Sequence, residues 1–510
     1  MAGSRSPGGR LAHPTGGPLS RLQGAHRHAP IPADFLTTPY DHPMKIVILG
    51  AGQVGTSVAE SLVSEANEIT VVDTDVARLA RLQDRLDLRT VVGNAALPSV
   101  LELAGMADAD MLIAVTQSDQ TNLCACRTAA TLYRTPTKIA RLRSPDYARY
   151  PELLEPKNFA VDFSICPEQI ITDYLVQLLA FPEALQVLEF ADGLVSLVAV
   201  RAIPGGTLVG HPVADLRRHI PTVDARIAAI YRRDQPIIPD GETLIEAGDE
   251  VFFLAATRDI GQVVSELRRR DRPTRRILIA GGGNIGERLA VATQDRYKVK
   301  VIEAAEARAR TLGATLKHTL VLVGEGTDEN LLAAESIEDM DCFLALTNDD
   351  ENNILSALLA KGLGARRVLA LINRRAYVDL VQADRIDIAI SPAQISIGSL
   401  LARVRKGDVA AVHSLRRGAA EALELVVHGD GRTSQVAGRR IEQLDLPPGV
   451  TVGAVVRGVA PMAGGADRRR VLIAHHDLVI EAEDHVILFV ISKDLVPKVE
   501  RYFQVGLGFF

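Results

Sequence analysis

Two glycine-rich loops of the same pattern, 231 positions apart (281 − 50), restrict what this chain can fold into more than any other feature. The first ends the run Met44-Lys45-Ile46-Val47-Ile48-Leu49-Gly50-Ala51-Gly52-Gln53-Val54-Gly55. The second ends Arg276-Ile277-Leu278-Ile279-Ala280-Gly281-Gly282-Gly283-Asn284-Ile285-Gly286. Each is an apolar, strand-like run that breaks into G-x-G-x-x-G and continues as a helical pattern. One such loop is weak evidence. Two, each with its own acidic strand end downstream, predict a duplicated nucleotide-binding unit.

Other landmarks keep nearly the same offset. Val91-Val92-Gly93-Asn94-Ala95 aligns with Leu322-Val323-Gly324-Glu325-Gly326, and Asp110–Thr116 aligns with Asp341–Thr347. Asp119 and Asn122 match Asp350 and Asn353. Within each half, short apolar runs (Val47–Leu49, Ile69–Val72, Thr90–Val92, Met111–Val115, Lys138–Leu142) alternate with helical stretches such as Gly55–Ala66 and Val76–Leu86. Alternation of that kind predicts a doubly wound, parallel Rossmann-like sheet in each half.

A second repeat lies outside the loops. Glu242–Leu254 resembles His476–Leu488, and Val209–Leu216 parallels Ala437–Leu444. Period-two alternation with Gly and Pro turns makes each a small α+β module. Pro167 and Pro392 follow apolar strands and suit the first position of a helix, so linker helices are expected at 167–182 and 392–410. The order becomes a Rossmann domain at 44–166, an α+β domain at 183–267, a second Rossmann domain at 275–391 and a second α+β domain at 411–496. Ile170, Tyr174, Leu175, Leu178 and Leu179 form an apolar stripe on the first linker. It suits a partner protomer and packing on its own chain equally well.

Composition narrows the class. With 510 residues, 47% hydrophobic and 24% charged, the chain reads as an ordinary multidomain globular protein. A net charge of −6 gives no global attraction to nucleic acid. No run of about 18 apolar residues is long enough for a membrane span. Four scattered cysteines (Cys124, Cys126, Cys166, Cys342) point to a reducing compartment, with Cys124 and Cys126 on different helix faces as packing residues. Residues 1–43, rich in Gly, Pro, His and Arg, are expected to be disordered. Met44 opens the first strand directly, so it is an alternative start.

The loops carry the chemistry. Gly50 permits the strand-to-helix turn, Gly52 lets backbone approach a diphosphate, and Gly55 lets helix and strand close up. Backbone N–H groups around Ala51, Gln53 and Val54 and the helix dipole then hold the anion. Gly281, Gly283 and Gly286, with Gly282, Asn284 and Ile285 between them, repeat the arrangement. Asp73, closing the second strand, is placed to accept both ribose hydroxyls and to repel a 2′-phosphate, as is Glu303. NAD(H), or an adenine nucleotide such as ATP or ADP, is therefore expected rather than NADP. Thr116 with Gln117, and Thr347 with Asn348, end the fourth strands at the edge where ligands bind in open sheets. Arg141 lies on that edge as a candidate phosphate cation. Its counterpart is Leu371, so unequal affinities are expected.

A dehydrogenase also needs a proton-transfer group aimed at the nicotinamide. The histidines of the α+β modules (His211, His219, His475, His476, His485) do not recur at matching positions. No nucleophile elbow, P-loop lysine or zinc spacing is present. No catalytic or metal residues are assigned, and the pattern is that of a sensor. An NAD-dependent oxidoreductase with duplicated cofactor domains is the alternative, and a scaffold with vestigial loops is a third.

The first loop, Ala140-Arg141-Leu142-Arg143-Ser144-Pro145-Asp146-Tyr147 and His413-Ser414-Leu415-Arg416-Arg417-Gly418-Ala419-Ala420-Glu421 closely resemble the TrkA family, the cytoplasmic nucleotide-binding subunits of bacterial Trk potassium-uptake systems. The likeness runs from Met44 to the C-terminus. It implies alternating RCK N-terminal and RCK C-terminal domains. It further implies a homo-oligomeric gating ring, with four copies expected, on the inner face of the membrane. The partner would be a K⁺-translocating subunit of the TrkH/TrkG type. Carried over by motif, one site comprises Gly50 to Val54, Asp73, Thr116, Gln117 and Arg141; the other comprises Gly282 to Gly286, Glu303 and Thr347. Residues 1–43 and a Gly/Arg-rich insertion near Ala463–Arg470 depart from the family pattern.

Overall fold

The computed structural model describes residues 43–63, 67–233, 235–267, 272–374, 376–377, 386–405, 409–415, 419–459 and 467–505. The expectation of disorder at the N-terminus, and residues 463–466 of the Ala463–Arg470 insertion, fall outside the described residues.

The first Rossmann sheet contains β1 (Lys45–Leu49), β2 (Glu68–Asp73), β3 (Arg89–Val92), β4 (Met111–Ala114), β5 (Thr137–Arg141) and β6 (Phe163–Ile165). They pair in parallel in the order β3-β2-β1-β4-β5-β6. The near-continuous apolar runs of β1 and β4 follow from burial on both faces. An antiparallel sheet follows, built from β7 (Ala184–Phe190), β8 (Val195–Arg201), β9 (Ala225–Arg232), β10 (Gln235–Ile237) and β11 (Glu250–Ala256), ordered β10-β9-β11-β8-β7.

The second half repeats both sheets. Its parallel sheet is β12 (Arg276–Ala280), β13 (Lys298–Glu303), β14 (Thr319–Val323), β15 (Cys342–Ala345), β16 (Val368–Leu371) and β17 (Ile388–Ile390), ordered β14-β13-β12-β15-β16-β17. Its antiparallel sheet is β18 (Val409–Leu415), β19 (Ala420–Val426), β20 (Val450–Arg457), β21 (Arg470–Ile473) and β22 (His485–Val490), ordered β18-β19-β22-β20-β21. Arg232 forks onto Asp249 and reaches Glu246, as Arg457 does with Asp484 and Glu481. These ion pairs set Glu246 and Asp249 opposite Glu481 and Asp484, one position from the register the two sequence segments suggest when laid end to end.

Helices that position the site are α1 (Gln53–Val63), α2 (Val76–Gln83), α3 (Asp119–Thr128), α4 (Pro167–Ala180), α5 (Asn284–Thr293), α6 (Glu306–Thr315), α7 (Asp350–Gly362) and α8 (Pro392–Val404). Proline stands in the first turn of α4 and α8, where its missing N–H costs nothing. The apolar stripe of the first linker finds its partner in the other half of the same chain. Ile171, Leu175, Leu178 and Leu179 of α4 share one buried cluster with Ile277, Ile279, Leu289 and Ala290 around α5. Reciprocally, Ile397, Leu400, Leu401 and Val404 of α8 are buried with Ile46, Ile48, Val58 and Leu62 around α1. Each buried Ile or Leu side chain of α4 and α8 at this crossover contributes about 2 kcal/mol relative to exposure.

The two antiparallel sheets meet as well. Phe190, Phe252, Ile487 and Phe489 lie in a common cluster, with the Phe252 and Phe489 rings 5.7 Å apart. A Cβ on Gly453 would stand 2.8 Å from Leu254 Cδ1, so the two sheets approach closely here and a side chain at 453 would have to push the Leu254 methyl aside. The chain is thus an internal pseudo-dimer whose halves exchange linker helices.

Candidate functional site

Both glycine loops leave their sheets where strand order reverses, between β1 and β4 and between β12 and β15, which is the crevice open α/β sheets offer to ligands. The three glycines of each loop have three different jobs. Gly50 has φ +105°, and a Cβ there would come within 3.1 Å of the Thr116 backbone. Gly55 sits so close under the turn that its Cβ would lie 1.8 Å from the Gly50 carbonyl oxygen. Around Gly52, by contrast, a Cβ would meet nothing within 4 Å. Gly281 (φ +110°), Gly286 (1.9 Å from the Gly281 oxygen) and the open Gly283 repeat the set. The outer glycines shape the protein, and the middle one leaves free space beside N–H groups of a helix start. That space fits an anion.

The acidic strand ends hold the loops. Asp73 accepts hydrogen bonds from Ala51 N–H at 2.6 Å and Asp75 N–H at 2.8 Å; Glu303 accepts from Gly282 N–H at 2.8 Å and Ala305 N–H at 2.9 Å. A carboxylate has about four lone-pair positions, so each keeps acceptor capacity for sugar hydroxyls.

The fourth-strand threonines are more occupied than their sequence position suggests. Thr116 Oγ1 donates to Asn122 Oδ1 at 2.7 Å, and Thr347 Oγ1 donates to Asn353 Oδ1 at 2.7 Å. Both asparagines are fully buried, and their amides donate to Arg141 O and Leu371 O at 2.9 Å. Asn122 and Asn353 therefore staple the ends of β4 to β5 and of β15 to β16. Asp119 and Asp350 extend the clamp by accepting the N–H groups of Arg143 and Ser144, and of Asn373 and Arg374. These four residues stand out in the sequence only as conserved marks of its internal repeat. Their work is to fix the sheet edge beneath the loop. Gln117 is exposed beside it.

Arg141 has a partner that the sequence does not announce. Its Nη2 meets Glu168 Oε1 at 2.8 Å, and Arg143 Nε meets the same oxygen at 3.0 Å. Burial alone would raise the Glu168 carboxyl, but Arg141, its own backbone N–H and Arg143 outweigh that and hold it below the ordinary range. Arg141 Nε remains buried without a hydrogen-bond partner among the described residues. Glu168 lies in the first turn of α4, so the cation at the first sheet edge is tied to the linker helix. One step further, Arg288 of α5 donates to Arg143 O and Gln169 Oε1, each at 2.8 Å. In the second half the corresponding residues, Leu371, Asn373 and Ala393, carry no charge. Among the described residues, no cluster of His, Cys, Asp or Glu has the arrangement of a metal site.

Fold and loops together define a duplicated Rossmann-type protein with paired α+β modules. The TrkA-N domain model matches residues 46–157 and 277–392, and the TrkA-C domain model matches residues 197–268. The Trk system potassium uptake protein TrkA of Halomonas elongata is 57% identical over 467 residues, covering 92% of this chain and all of the relative. That of Vibrio alginolyticus is 52% identical over 462 residues, covering 90% and 99%. Among solved structures, the GsuK RCK domain superposes with a TM-score of 0.56 at 18% identity, covering 91% of this chain and 96% of that one, a likeness of fold. The chain belongs to the TrkA family of Trk system potassium uptake proteins.

Proposed function

We propose that this chain is the regulatory subunit of a Trk-type potassium uptake system, binding NAD(H) or ATP/ADP at its glycine loops and controlling a membrane K⁺-translocating subunit of the TrkH/TrkG type. Family membership supports the potassium role and removes the ground for an oxidoreductase with duplicated cofactor domains. The observation that carries nucleotide binding is the pair of loops with open space over Gly52 and Gly283 between glycines that packing demands. Residues 44–166 and 275–391 are taken as the nucleotide-binding RCK N-terminal domains, 183–267 and 411–496 as the RCK C-terminal ones. Among the described residues no helix is long and apolar enough to cross a membrane. A peripheral place on the cytoplasmic face, in a homo-oligomeric ring of four copies, fits a regulator of such a partner.

At the first site, backbone N–H groups from Gly52 to Val54 would hold the diphosphate, with the Ala51 N–H kept on Asp73. Asp73 would hold the ribose and Arg141 the remaining charge. A bound nucleotide supplies negative charge and adenosine surface there. Arg141 then divides its hydrogen bonds between ligand and Glu168, which loosens or tightens the first turn of α4. Because α4 is buried against α5 of the other half, a shift at its start moves one half against the other. The ligand must bind the two arrangements unequally to move their balance.

Co-purification with the K⁺-translocating subunit, followed by ion flux measured against NADH and ATP, tests this. Flux that responds to one of the nucleotides is expected. Stable assembly with flux indifferent to both would leave a scaffold instead.

A further inference from the structure

The second cradle has lost the cation of the first, since Leu371 replaces Arg141, but it has gained an ion pair of its own. Arg308 of α6 donates through Nε to Gly282 O at 3.0 Å and through Nη2 to Glu287 Oε2 at 2.7 Å. Gly282 belongs to the loop, and Glu287 lies in the first turn of α5. The pair therefore spans the mouth of the cradle. It is about one-third exposed on each side (33% and 29%), so solutes can reach it. The first half is built otherwise. The first turn of α1 carries no acid, and Thr56 stands at the place of Glu287. Arg78, at the place of Arg308, turns instead to Asp75, which caps its own helix, at 3.2 Å.

A carboxylate in a first helical turn is stabilised by the same dipole and N–H groups that attract a phosphate, and it repels one. A guanidinium beside it offers the planar donor fork that phosphate oxygens prefer. We propose that Arg308 is the diphosphate-binding cation of the second cradle and Glu287 its internal competitor. The second cradle then takes an adenine nucleoside diphosphate by exchanging this ion pair, more weakly than the first. This rests on the loops being nucleotide sites and adds the residues that set the affinity of one of them.

The test is calorimetric titration of ADP into the full chain carrying Gly52→Asp, which silences the first cradle. Relative to that parent, Glu287→Gln tightens ADP about tenfold, and Arg308→Gln weakens it at least tenfold, while Arg308→Lys retains part of the affinity. Cooperative thermal unfolding like that of the parent shows that each variant is folded. If the parent binds too weakly to measure, Glu287→Gln must restore measurable heat. ADP affinity unmoved by Arg308→Gln and Arg308→Lys, or not improved by Glu287→Gln, overturns the proposal while leaving nucleotide binding at the first cradle intact. A wild-type chain that binds no ADP at all overturns both.

Discussion

Replacing Gly52 by aspartate should weaken nucleotide binding at the first cradle about a hundredfold without harming the fold. A side chain there meets no protein atom within 4 Å of its Cβ, and the residue's φ lies outside the left-handed region. The protein can therefore accept it. What it fills is the space proposed for the diphosphate. Two unit charges about 4 Å apart interact by about 1 kcal/mol in water and about 4 kcal/mol at an effective dielectric of 20. The partly open cradle lies between these limits. The corresponding loss runs from about fivefold to about a thousandfold, centred near a hundredfold. Gly55→Ala is the contrast. Its Cβ would lie 1.8 Å from the Gly50 carbonyl oxygen, so strand and helix must separate and stability falls. Calorimetry with NADH and ADP, in a Gly283→Asp background so that only the first cradle reports, measures the first effect. Thermal unfolding measures the second. Undiminished binding by a folded Gly52→Asp chain would refute the site, and so would a melting loss as large as that of Gly55→Ala.

Four further outcomes are expected. Leu175→Ala leaves a cavity between α4 and the second Rossmann half and should cost about 2–5 kcal/mol in denaturant unfolding; an effect below 1 kcal/mol would contradict the crossover. Glu168→Gln strands two guanidinium groups at one sheet edge; because the Glu168 carboxyl is held low, its stabilisation is present at neutral pH and is lost as pH falls below about 4.5, so the variant should lack that part of the acid transition. His413, packed edge-on to Phe190 at 4.8 Å and bonded to Glu189 O at 3.1 Å, has its pKa lowered by burial, although Glu189 O and Glu424 oppose this. The unfolded chain takes up the proton first, so stability is full above about pH 6.5 and falls below it by less than about 1.4 kcal/mol per pH unit, a slope that His413→Gln should remove. In the native protein a maleimide should label Cys124, which is exposed, and spare Cys126 and Cys342, whose thiols burial pushes up to about 12; mass spectrometry of the labelled chain would show it.

Much of this architecture could be read from local pattern because its causes are local. Gly50 is demanded by its own positive φ and Gly55 by the Gly50 carbonyl five residues back, and Asp73 is placed by the length of one β-α-β unit. Residues that act at a distance were harder to read. Nothing near Thr116 says that its hydroxyl is already spent on Asn122. The stripe on α4 showed that a surface must cover it but not whose, since an amphipathic helix records only that it has an apolar face. The answer, a helix of the opposite half, depends on how four domains fold back on one another. Arg141 was legible as a cation on the right edge. Its bond to Glu168 was not, because the two are separated by β6 and the turn before α4.

That bond makes the two halves unequal in a way that duplication alone would not. From the first cradle a run of polar contacts leads through Arg141, Glu168 and Arg143 to Arg288, one residue beyond Glu287 in the helix that opens the second cradle. The mirrored positions Leu371, Ala393 and Asn373 carry no charge, and α8 packs on α1 through Ile397, Leu400, Leu401 and Val404 against Val58 and Leu62. Apolar packing transmits a displacement only when shapes collide, whereas a shared carboxylate responds as soon as one of its cations finds another anion. Charge arriving at the first cradle thus has a direct means of altering the second half. In the proposed exchange, charge arriving at the second must first displace Glu287 from Arg308, which would spend the perturbation inside its own domain. An asymmetric chain of this kind can sense with one loop and adjust the response with the other, and an exact repeat could not.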